Sequence, residues 1–493
     1  MSNKFKLSPS IRSFTLVATL GITLSGCVTT GVNQEASQTA YLSGGYESVS
    51  ATYLDGDGKL KVKGDDLEQL LISGKALHDA GYWQQSAEAF ESAEKQLAWK
   101  ADSVDTPEEV GKLIGTTLTN DTFASYNGKI YEGVMLDYYQ ALNYLMMGDE
   151  SKSRVRFNRL NERQRNAETQ LRKYTDSLSK TDKAAGEAKS DKNKQEMIAR
   201  SHKESGEALD RGKQGLPSGV KAHEIRNPAG DLLGAMFRAT SASRSDKQGN
   251  LIDGMINSAS TKAASSDGRK FASKLKTELK RKNQNQIYFI YEDGRGPSID
   301  EFRVDLPVFL VSKDVLYTGI ALPEFKSGSA AQPELRVSTG KQAFSLVKMA
   351  DLNRMASLEF DATYKGKVAK AVTSAVLKTV AQAAANREIE KKTEGNALAG
   401  LLIKTAVAVG QAALTQTDTR AWFNLPDSIH LGVMKRPSFG TLRLTNPAGE
   451  PLAIVDLPSG QGDLLVYARQ AMSGGEMKVF IQNLPANTQA ASL

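Results

Sequence analysis

The sequence predicts a multidomain α+β fold, in which a tetratricopeptide-like α-helical repeat domain precedes a β-sandwich-like domain that carries an inserted helical hairpin. Apolar residues recur every three or four positions through much of 65–284, a spacing typical of amphipathic helices. From position 285 onwards (285–493), short alternating segments separated by Gly and Pro turns predict strands. An Ala-rich stretch at about 350–414 interrupts these strands and predicts the helical insertion.

Residues 1–26 predict the signal peptide of a lipoprotein. Lys4, Lys6 and Arg12 precede an apolar run that is too short to remain as a membrane span. The run ends in Leu-Ser-Gly-Cys, which resembles a bacterial lipobox and makes Cys27 the lipidated first residue of the mature chain. Val28 follows it where an Asp would favour inner-membrane retention. By resemblance to lipoprotein sorting in Gram-negative bacteria, Val28 favours the outer membrane.

The composition of the chain supports the lipid anchor. A cleaved signal with an incidental cysteine is the alternative, but Cys27 is the single cysteine of an exported chain. Acyl chains contribute about 0.8 kcal/mol per buried methylene, so three of them would hold the protein on the membrane almost irreversibly. The stretch 27–64 is rich in Gly, Ser and Thr, and therefore predicts a flexible tether between lipid and first domain.

Several classes of function lack their sequence signals. With the only cysteine acylated, no disulfide and no thiolate metal or redox site is available, and no two histidines have metal-ligand spacing. We therefore predict no metal site and no cofactor. Motifs for a serine nucleophile, a zinc protease, a Cys/His pair or a Walker loop are absent, so no catalytic residue is predicted. A pair of carboxylates stays open, because such pairs are recognised by their distance in space.

The positive charge of the chain is concentrated in one segment. The stretch 151–213 contains 17 Lys and Arg against 10 Asp and Glu, and predicts a basic polar helix at 151–215 with frayed parts. In an envelope the available anions are lipid headgroups, lipopolysaccharide phosphates and cell-wall polymers, while nucleic acid is a poor partner for an exported protein. A solvated face without any partner is the alternative. The candidate anion-binding residues are Arg154, Arg163, Arg165, Arg172 and Lys173.

The helical half contains an internal repetition. Four packing positions recur at equal spacing in two segments that resemble tetratricopeptide units: Gly81, Ser86, Phe90 and Ala93, then Gly148, Ser153, Phe157 and Leu160. Single units cannot bury their own faces, so we expect these helix pairs to stack. Tyr138, Tyr139 and Tyr144 have two interpretations, either packing between helices or a surface that binds a partner protein.

The stretch 397–414 is apolar on nearly all sides of a predicted helix. A buried hairpin is one interpretation of this pattern. The other is an interface with a membrane or with a second copy of the chain, which would make the protein a homo-oligomer. The sequence pattern alone does not choose between these interpretations.

Four stretches together resemble an uncharacterised family of proteobacterial lipoproteins, namely 131–145, 294–297, 320–323 and 418–427. The resemblance covers most of 65–470 and implies a tetratricopeptide-like front half and a β-rich back half. Members of that family are often encoded beside small lipoproteins similar to activators of penicillin-binding proteins. The resemblance implies no catalytic residue.

These patterns predict an outer-membrane lipoprotein that faces the periplasm and acts as a non-enzymatic adaptor for an envelope protein partner. A permanent tether, a helical-repeat front half suited to binding, and the absence of catalytic motifs favour this function in envelope assembly or maintenance. One alternative is a cell-wall hydrolase whose carboxylates the sequence does not reveal. Another is a lipoprotein subunit of an export or assembly machine that uses 397–414 as an interface.

Overall fold

The structure of the chain is a computed structural model, and the residues it describes do not include the predicted anchor. Residues 1–33, with the signal peptide and Cys27, and residues 393–416, with the apolar 397–414 segment, lie outside the described part. The described residues are 34–62, 66–98, 126–187, 192–243, 247–263, 265–280, 285–307, 317–340, 342–392, 417–437 and 440–484.

Helices occupy most of the front half and one long stretch of the back half. The α-helices of the described part are α1 (Gln34–Leu42), α2 (Tyr46–Thr52), α3 (Leu67–Asp79), α4 (Trp83–Gln96), α5 (Ile130–Met146), α6 (Glu150–Glu187), α7 (Lys192–Glu204), α8 (Gly206–Asp210), α9 (Pro228–Thr240), α10 (Gly249–Lys262), α11 (Ser266–Leu279) and α12 (Leu352–Lys392).

Three sheets make up the rest, so the predicted α+β class is confirmed. In chain order the strands are β1 (Gln286–Asp293), β2 (Ser298–Pro307), β3 (Tyr317–Lys326), β4 (Arg336–Thr339), β5 (Gln342–Ser345), β6 (Val347–Asp351), β7 (Ser428–Lys435), β8 (Thr441–Thr445), β9 (Pro451–Asp456), β10 (Leu464–Gln470) and β11 (Lys478–Asn483). The strand orders are β11-β10-β1-β7-β6, β2-β3 and β5-β4-β8-β9. Strand β1 is central to the largest sheet, where it runs parallel to β10 and antiparallel to β7.

Strand β1 is buried on both faces, and each face belongs to a different core. Ile287 and Phe289 pack with residues of the four-stranded sheet. Tyr288 and Ile290 point to the other side and pack with helical residues such as Leu71. A strand covered on both faces needs apolar residues throughout, which explains its unbroken hydrophobic sequence. The large sheet is therefore the middle layer between the helices and the four-stranded sheet.

Close packing between α3 and α4 depends on small residues at fixed positions. A methyl group at Gly74 would lie only 2.6 Å from Cε1 of Phe90, so the helices can approach each other only because Gly74 has no side chain. Gly81 has a φ of +84° and forms the turn between the two helices. Gly148 has a φ of +74° in the corresponding turn between α5 and α6. Glycine adopts this conformation without steric cost, which explains why each of the two turns contains a glycine.

The prediction of a flexible tether over 27–64 is wrong for its described part. Helices α1 and α2 pack against the body of the protein, and Tyr41 and Tyr46 are both 0% exposed. Tyr46 accepts a hydrogen bond from the Ala471 amide at 3.1 Å, at the end of β10. The Gly and Ser content suggested flexibility, but two large aromatic side chains bury enough surface to hold this segment in place.

The predicted division into a helical domain (65–284) and a β-rich domain (285–493) also needs correction. One hydrophobic core contains Leu71 and Met135 from the helices together with Ile290, Leu431 and Leu465 from the sheet. The two halves therefore share a core, whereas independent domains would each have their own.

The basic segment 151–215 is helical for most of its described length, in α6, α7 and α8. Helix α6 nevertheless has a buried face, formed by Phe157, Leu160, Leu171 and Tyr174. The described part of the 350–414 insertion is the single helix α12, so the second arm of the predicted hairpin lies outside the described residues. Within the described residues, no helix has the length and apolar content needed to cross a membrane.

Candidate functional site

Four charged side chains meet in the interior where helix α3 crosses strands β1 and β10. Lys75, Asp79, Glu292 and Arg469 are each 0% exposed, and together they carry two positive and two negative charges. The Lys75 ammonium group contacts the Asp79 carboxylate one helical turn away, and its Nζ lies 3.0 Å from Oε2 of Glu292. Nε of Arg469 lies 3.7 Å from Oδ2 of Asp79. We call these four residues the charge cluster.

Three tyrosine hydroxyls complete the charge cluster. The Tyr467 hydroxyl lies 2.9 Å from Oδ1 of Asp79 and 3.0 Å from Oε2 of Glu292, and its single hydrogen is shared between these two acceptors. Tyr139 donates to the same Glu292 oxygen at 3.2 Å. Tyr41 donates to Asp79 as well, which links α1 to the charge cluster. Buried charges are tolerated only when paired and hydrogen-bonded, and these hydroxyls supply much of that pairing.

Arg469 and its partners connect the charge cluster to the backbone. Its Nη1 lies within hydrogen-bond distance of the carbonyl oxygens of Glu292 at 3.2 Å, Gly294 at 2.7 Å and Gln470 at 3.0 Å, and its two hydrogens are shared among these acceptors. Burial opposes the ionisation of Asp79, but the positive charges of Lys75 and Arg469 outweigh it and lower the pKa of that carboxyl. Asp79 is therefore an ionised counterion for both cations.

His78 extends this polar interior towards α5. Its Nδ1 lies 2.6 Å from Oδ1 of Asn143, and Asn143 donates to the Ser86 hydroxyl at 2.8 Å. The imidazole ring contacts Trp83, Tyr139 and Tyr467 edge-on, with centroids 5.0, 5.0 and 5.1 Å away. Burial, with Lys75 as the next cause, lowers the pKa of His78 to about 3, so the imidazole is neutral in the folded chain.

The charge cluster is closed to solvent. No substrate can reach side chains that are 0% exposed without opening the core, so these residues are not a reactive centre in this conformation. Their contacts join α1, α3, α5, β1 and β10. The charge cluster therefore fixes the position of the helices on the sheet.

A separate pocket lies between the start of α5, the long helix α12 and the hairpin of β2 and β3. The space that water-sized molecules can occupy there measures about 50 Å³, which is room for a few of them. Tyr131, Tyr174, Phe325 and Phe360 supply aromatic walls. Polar side chains also reach it, including Lys129, Glu359, Thr363 and Lys367. We call this space the junction pocket.

Three of the four stretches that carried the family resemblance converge on the junction pocket. Tyr131 belongs to 131–145, Pro297 to 294–297 and Ala421 to 418–427, and all three line it. The last of these stretches is also held on α5, because the Trp422 amide donates a hydrogen bond to Oε1 of Glu132 at 3.0 Å. These stretches are far apart in sequence, so only the folded chain shows that they share a location.

Glu359 is the acidic residue that lines the junction pocket. It is 6% exposed, and its Oε2 accepts a hydrogen bond of 2.8 Å from the Ile130 amide at the start of α5. Burial raises the pKa of Glu359 to about 7, although Lys129, the Ile130 amide and Lys367 act in the opposite direction. The carboxyl group therefore exists in both protonation states near neutral pH.

Glu132 lies behind the junction pocket wall and is fully buried. Its carboxylate accepts hydrogen bonds from the Tyr126 hydroxyl at 2.7 Å, from the Lys129 amide at 2.9 Å and from the Trp422 amide. Burial raises the pKa of Glu132, against the lowering effects of Lys129 and of these donors. Its oxygens are committed to structural contacts, so Glu132 and Glu359 do not form an exposed pair of carboxylates.

The structure assigns the predicted tyrosine surface to the interior. Tyr138 and Tyr139 are 0% exposed and Tyr144 is 4% exposed, so these rings offer no surface to a partner in this conformation. The interpretation as a partner surface is therefore corrected, and the packing interpretation is confirmed. Tyr144 still donates a hydrogen bond to Glu91 on α4 at 2.7 Å, which fastens the two helix pairs together.

The candidate anion-binding residues differ in their burial. Arg163 is 2% exposed and forms a buried ion pair with Asp137, so its prediction as a surface contact is wrong. Arg165 and Arg172 are exposed, while Arg154 and Lys173 are half-buried. Arg165 and Arg172 are seven residues apart on α6, which places them on one side of the helix about 10 Å from each other.

Sequence reasoning missed the charge cluster and Glu359. Lys75 and Asp79 interrupt the apolar face of a predicted helix at a spacing of four residues, and that was the available signal. Glu292 and Arg469 lie in strands whose pairing only the fold reveals. Comparisons with models of protein families, with curated proteins and with solved structures find no match for this chain.

Proposed function

We propose that the chain is a lipoprotein, anchored through Cys27 in the outer membrane and facing the periplasm, that acts as a non-enzymatic adaptor in cell-envelope assembly or maintenance. The lipobox supports the anchor. Two stacked helix pairs of tetratricopeptide type, followed by a β-sandwich-like part, would provide a scaffold whose usual physical use is binding.

The observation that carries the adaptor proposal is the outward side of α6. Val155 is 61% exposed there, and Arg165 and Arg172 are exposed on the same helix. The opposite side is held on α4 and α5, where Arg156 forms an ion pair with Glu94 at 2.7 Å. A firmly held helix with apolar and cationic groups facing outward suits a protein partner with an acidic surface.

Site-specific photo-crosslinking in cells tests this proposal. A photoreactive amino acid at Val155 should yield one or a few recurrent envelope proteins. Ile454, on strand β9, is the matched control, because it is also an exposed β-branched residue, at 52%, on a different sheet. Equal crosslinking from both positions, or none from position 155, would contradict an adaptor surface on α6.

Palmitate labelling tests the anchor independently. Radiolabelled palmitate should enter the wild-type protein and be absent from the Cys27→Ala variant. Equal labelling of the two proteins would remove the lipid anchor from the proposal and leave the α6 surface to be judged by crosslinking.

A cell-wall hydrolase is the second candidate, because Glu359 has a pKa of about 7 within a pocket. Glycoside hydrolysis usually requires a second carboxyl group facing the same bond. Glu132 is hydrogen-bonded on the far side of the wall, which argues against such a pair. Digestion of labelled cell wall by the purified wild-type chain, lost in Glu359→Gln, would establish the hydrolase and end the adaptor proposal.

A further inference from the structure

Residues 34–62, which include helices α1 and α2, lie over one side of the charge cluster, and we call them the strap. The Tyr41 hydroxyl donates a hydrogen bond to Asp79, and the guanidinium carbon of Arg469 lies 6.0 Å from the centre of the Tyr41 ring. Asp79 and Arg469 are both 0% exposed. The strap therefore shields two charges of the body from water.

Few apolar side chains hold the strap in place. Tyr41, Tyr46 and Val49 are its buried hydrophobic residues, and they form a small cluster of their own with Ala76 and Ala471. The other apolar residues of the strap are half-buried or exposed. Helix α3, in contrast, has eleven buried residues among its thirteen. Because every ordered residue costs conformational entropy, the strap is stabilised less per residue than α3.

The polar contacts between the strap and the body involve groups that water can also satisfy. The Glu476 amide donates to the Ser43 carbonyl oxygen at 3.1 Å. Glu47 forms an ion pair with Lys478, and their side chains are 48% and 26% exposed. Hydrogen bonds of this kind exchange for bonds to water at a small net cost, and exposed ion pairs contribute little. These contacts position the strap but add little to its stability.

Release of the strap would hydrate charges that are now buried. Water would take the place of the Tyr41 hydroxyl at Asp79 and would reach the Arg469 guanidinium group. Burying a charge is costly, so this hydration offsets part of the apolar contact that is lost. The contacts of Lys75 with Asp79 and Glu292 join α3 to β1 and do not involve the strap. The body therefore keeps these ion pairs when the strap leaves.

We propose that the strap detaches from the body as one unit while the body stays folded, and that it thereby works as an extensible part of the membrane tether. The extension rests on the proposed anchor at Cys27, whereas the detachment does not. With the strap docked, the folded body begins at Gln34, close to Cys27. With the strap released it begins at Leu67, and the roughly 40 residues between Cys27 and Leu67 span about 130 Å at full extension.

Hydrogen exchange followed by mass spectrometry tests the detachment on the polypeptide 28–493, which contains every described residue and carries no lipid. Relative to their intrinsic rates, amides of 46–52 in α2 should exchange at least about tenfold faster than amides of 67–79 in α3. The Glu476 amide, which donates to the strap, should be protected to the same degree as α2. Equal protection of α2 and α3 would overturn the proposal.

A double variant makes the detached state the main one. Tyr41→Ala combined with Tyr46→Ala removes both buried rings of the strap and should accelerate exchange in 46–52 at least about a hundredfold. Residues 130–146 of α5 should remain protected, and the chain should still unfold in one cooperative thermal transition. Tyr82→Ala is the control, because this ring is 38% exposed, and it should leave 46–52 protected. Loss of protection in α5 together with α2 would show that the strap is an integral part of the core.

Energy transfer from the protein to acceptor lipids tests the extension on the lipidated chain. A dye at Tyr82→Cys would be attached to the single free thiol, because lipidation occupies Cys27. Transfer to the bilayer should be weaker when Tyr41→Ala and Tyr46→Ala are added, since the released strap lets the body move away from the membrane. Equal transfer would overturn the extension. Failure of the anchor is recognised separately, because Cys27 would then incorporate no palmitate while the exchange measurements on 28–493 would be unaffected.

Discussion

Nζ of Lys75 lies 3.0 Å from Oε2 of Glu292, and this contact joins helix α3 to β1, the central strand of the large sheet. Both side chains are completely buried. A buried ion pair is costly to form but more costly to break, because the remaining charge keeps no partner.

Replacing Lys75 by Met should therefore destabilise the fold by about 3–5 kcal/mol. The substitution keeps an unbranched side chain that is one atom shorter, and it leaves Asp79 and Glu292 facing each other without their shared cation. Chemical denaturation followed by fluorescence measures the effect. Lys274→Met, at an exposed position on α11, is the control and should change stability by less than about 0.5 kcal/mol. Adding Glu292→Gln to Lys75→Met should recover part of the lost stability. Equal stability of Lys75→Met and the control Lys274→Met would contradict the role of Lys75.

Because Tyr41 packs helix α1 against the rest of the protein, we expect it to contribute to the free energy of unfolding. Tyr41→Ala removes a fully buried ring together with the hydrogen bond to Asp79, and should cost about 3–5 kcal/mol. Tyr82→Ala removes a ring that is 38% exposed and should cost less than about 1 kcal/mol. Thermal melting compares the two variants. Similar melting temperatures would indicate that the segment before α3 is a tether after all.

The buried imidazole of His78 predicts a loss of stability in acid. Its pKa is about 3 in the folded chain and about 6.5 when unfolded, so between these values the unfolded chain binds more protons. Stability from this group is complete above pH 6.5 and is lost as the pH falls towards 3, by up to about 1.4 kcal/mol per pH unit. His430 has the same slope, while Glu68 and Glu359, with pKa values raised to about 7, have the opposite one.

Unfolding measured between pH 7 and pH 4 should therefore show a smaller acid-induced loss in His78→Asn than in the wild-type chain. His223→Asn is the control, because His223 is half-buried at the surface near α9. The comparison of slopes cancels the contributions of the carboxyl groups, which both proteins share. A wild-type slope in His78→Asn would show that the imidazole is charged or exposed in the folded state.

Exposed and buried arginines on α6 should give different phenotypes when they are replaced. The double variant Arg165→Glu, Arg172→Glu should weaken co-sedimentation with anionic vesicles at low salt and leave stability nearly unchanged, because both residues are exposed. Arg163→Met should instead destabilise the protein, because Asp137 would lose its buried partner. Salt-independent retention on the vesicles, or equal retention of the double variant and the wild type, would argue against an electrostatic surface on α6.

The sequence predicted secondary structure correctly where the spacing of residues within one element carries the information. The run Ile287, Tyr288, Phe289, Ile290 and Tyr291 predicted a strand, and the recurrence of Gly81 and Gly148 predicted two helical turns, as observed. Local spacing encodes such features. The burial of the candidate tyrosines depends instead on which helix covers which, and a single helix pattern does not contain that information.

The errors have specific physical reasons. Residues 34–62 look flexible by composition, yet Tyr41 and Tyr46 find a complementary site formed by α3 and β10. Arg163 lies in a basic segment that suggests solvent exposure, but its partner Asp137 is on another helix. Glu359 and Lys129 are brought together by the contact between α12 and the start of α5. In the sequence, strands β1 to β6 lie between these two helices. Long-range pairing of this kind is invisible to periodicity and composition.

With the strap docked, the early start of the folded body would restrict how a protein anchored through Cys27 moves on a membrane. Only seven peptide steps separate Cys27 from Gln34, and a chain of that length reaches about 25 Å at full extension. A lipid at Cys27 would thus hold the body within roughly one molecular radius of the bilayer. The protein would then search for partners by lateral diffusion in a thin layer, and a partner elsewhere in the periplasm would have to travel to the membrane surface to meet it.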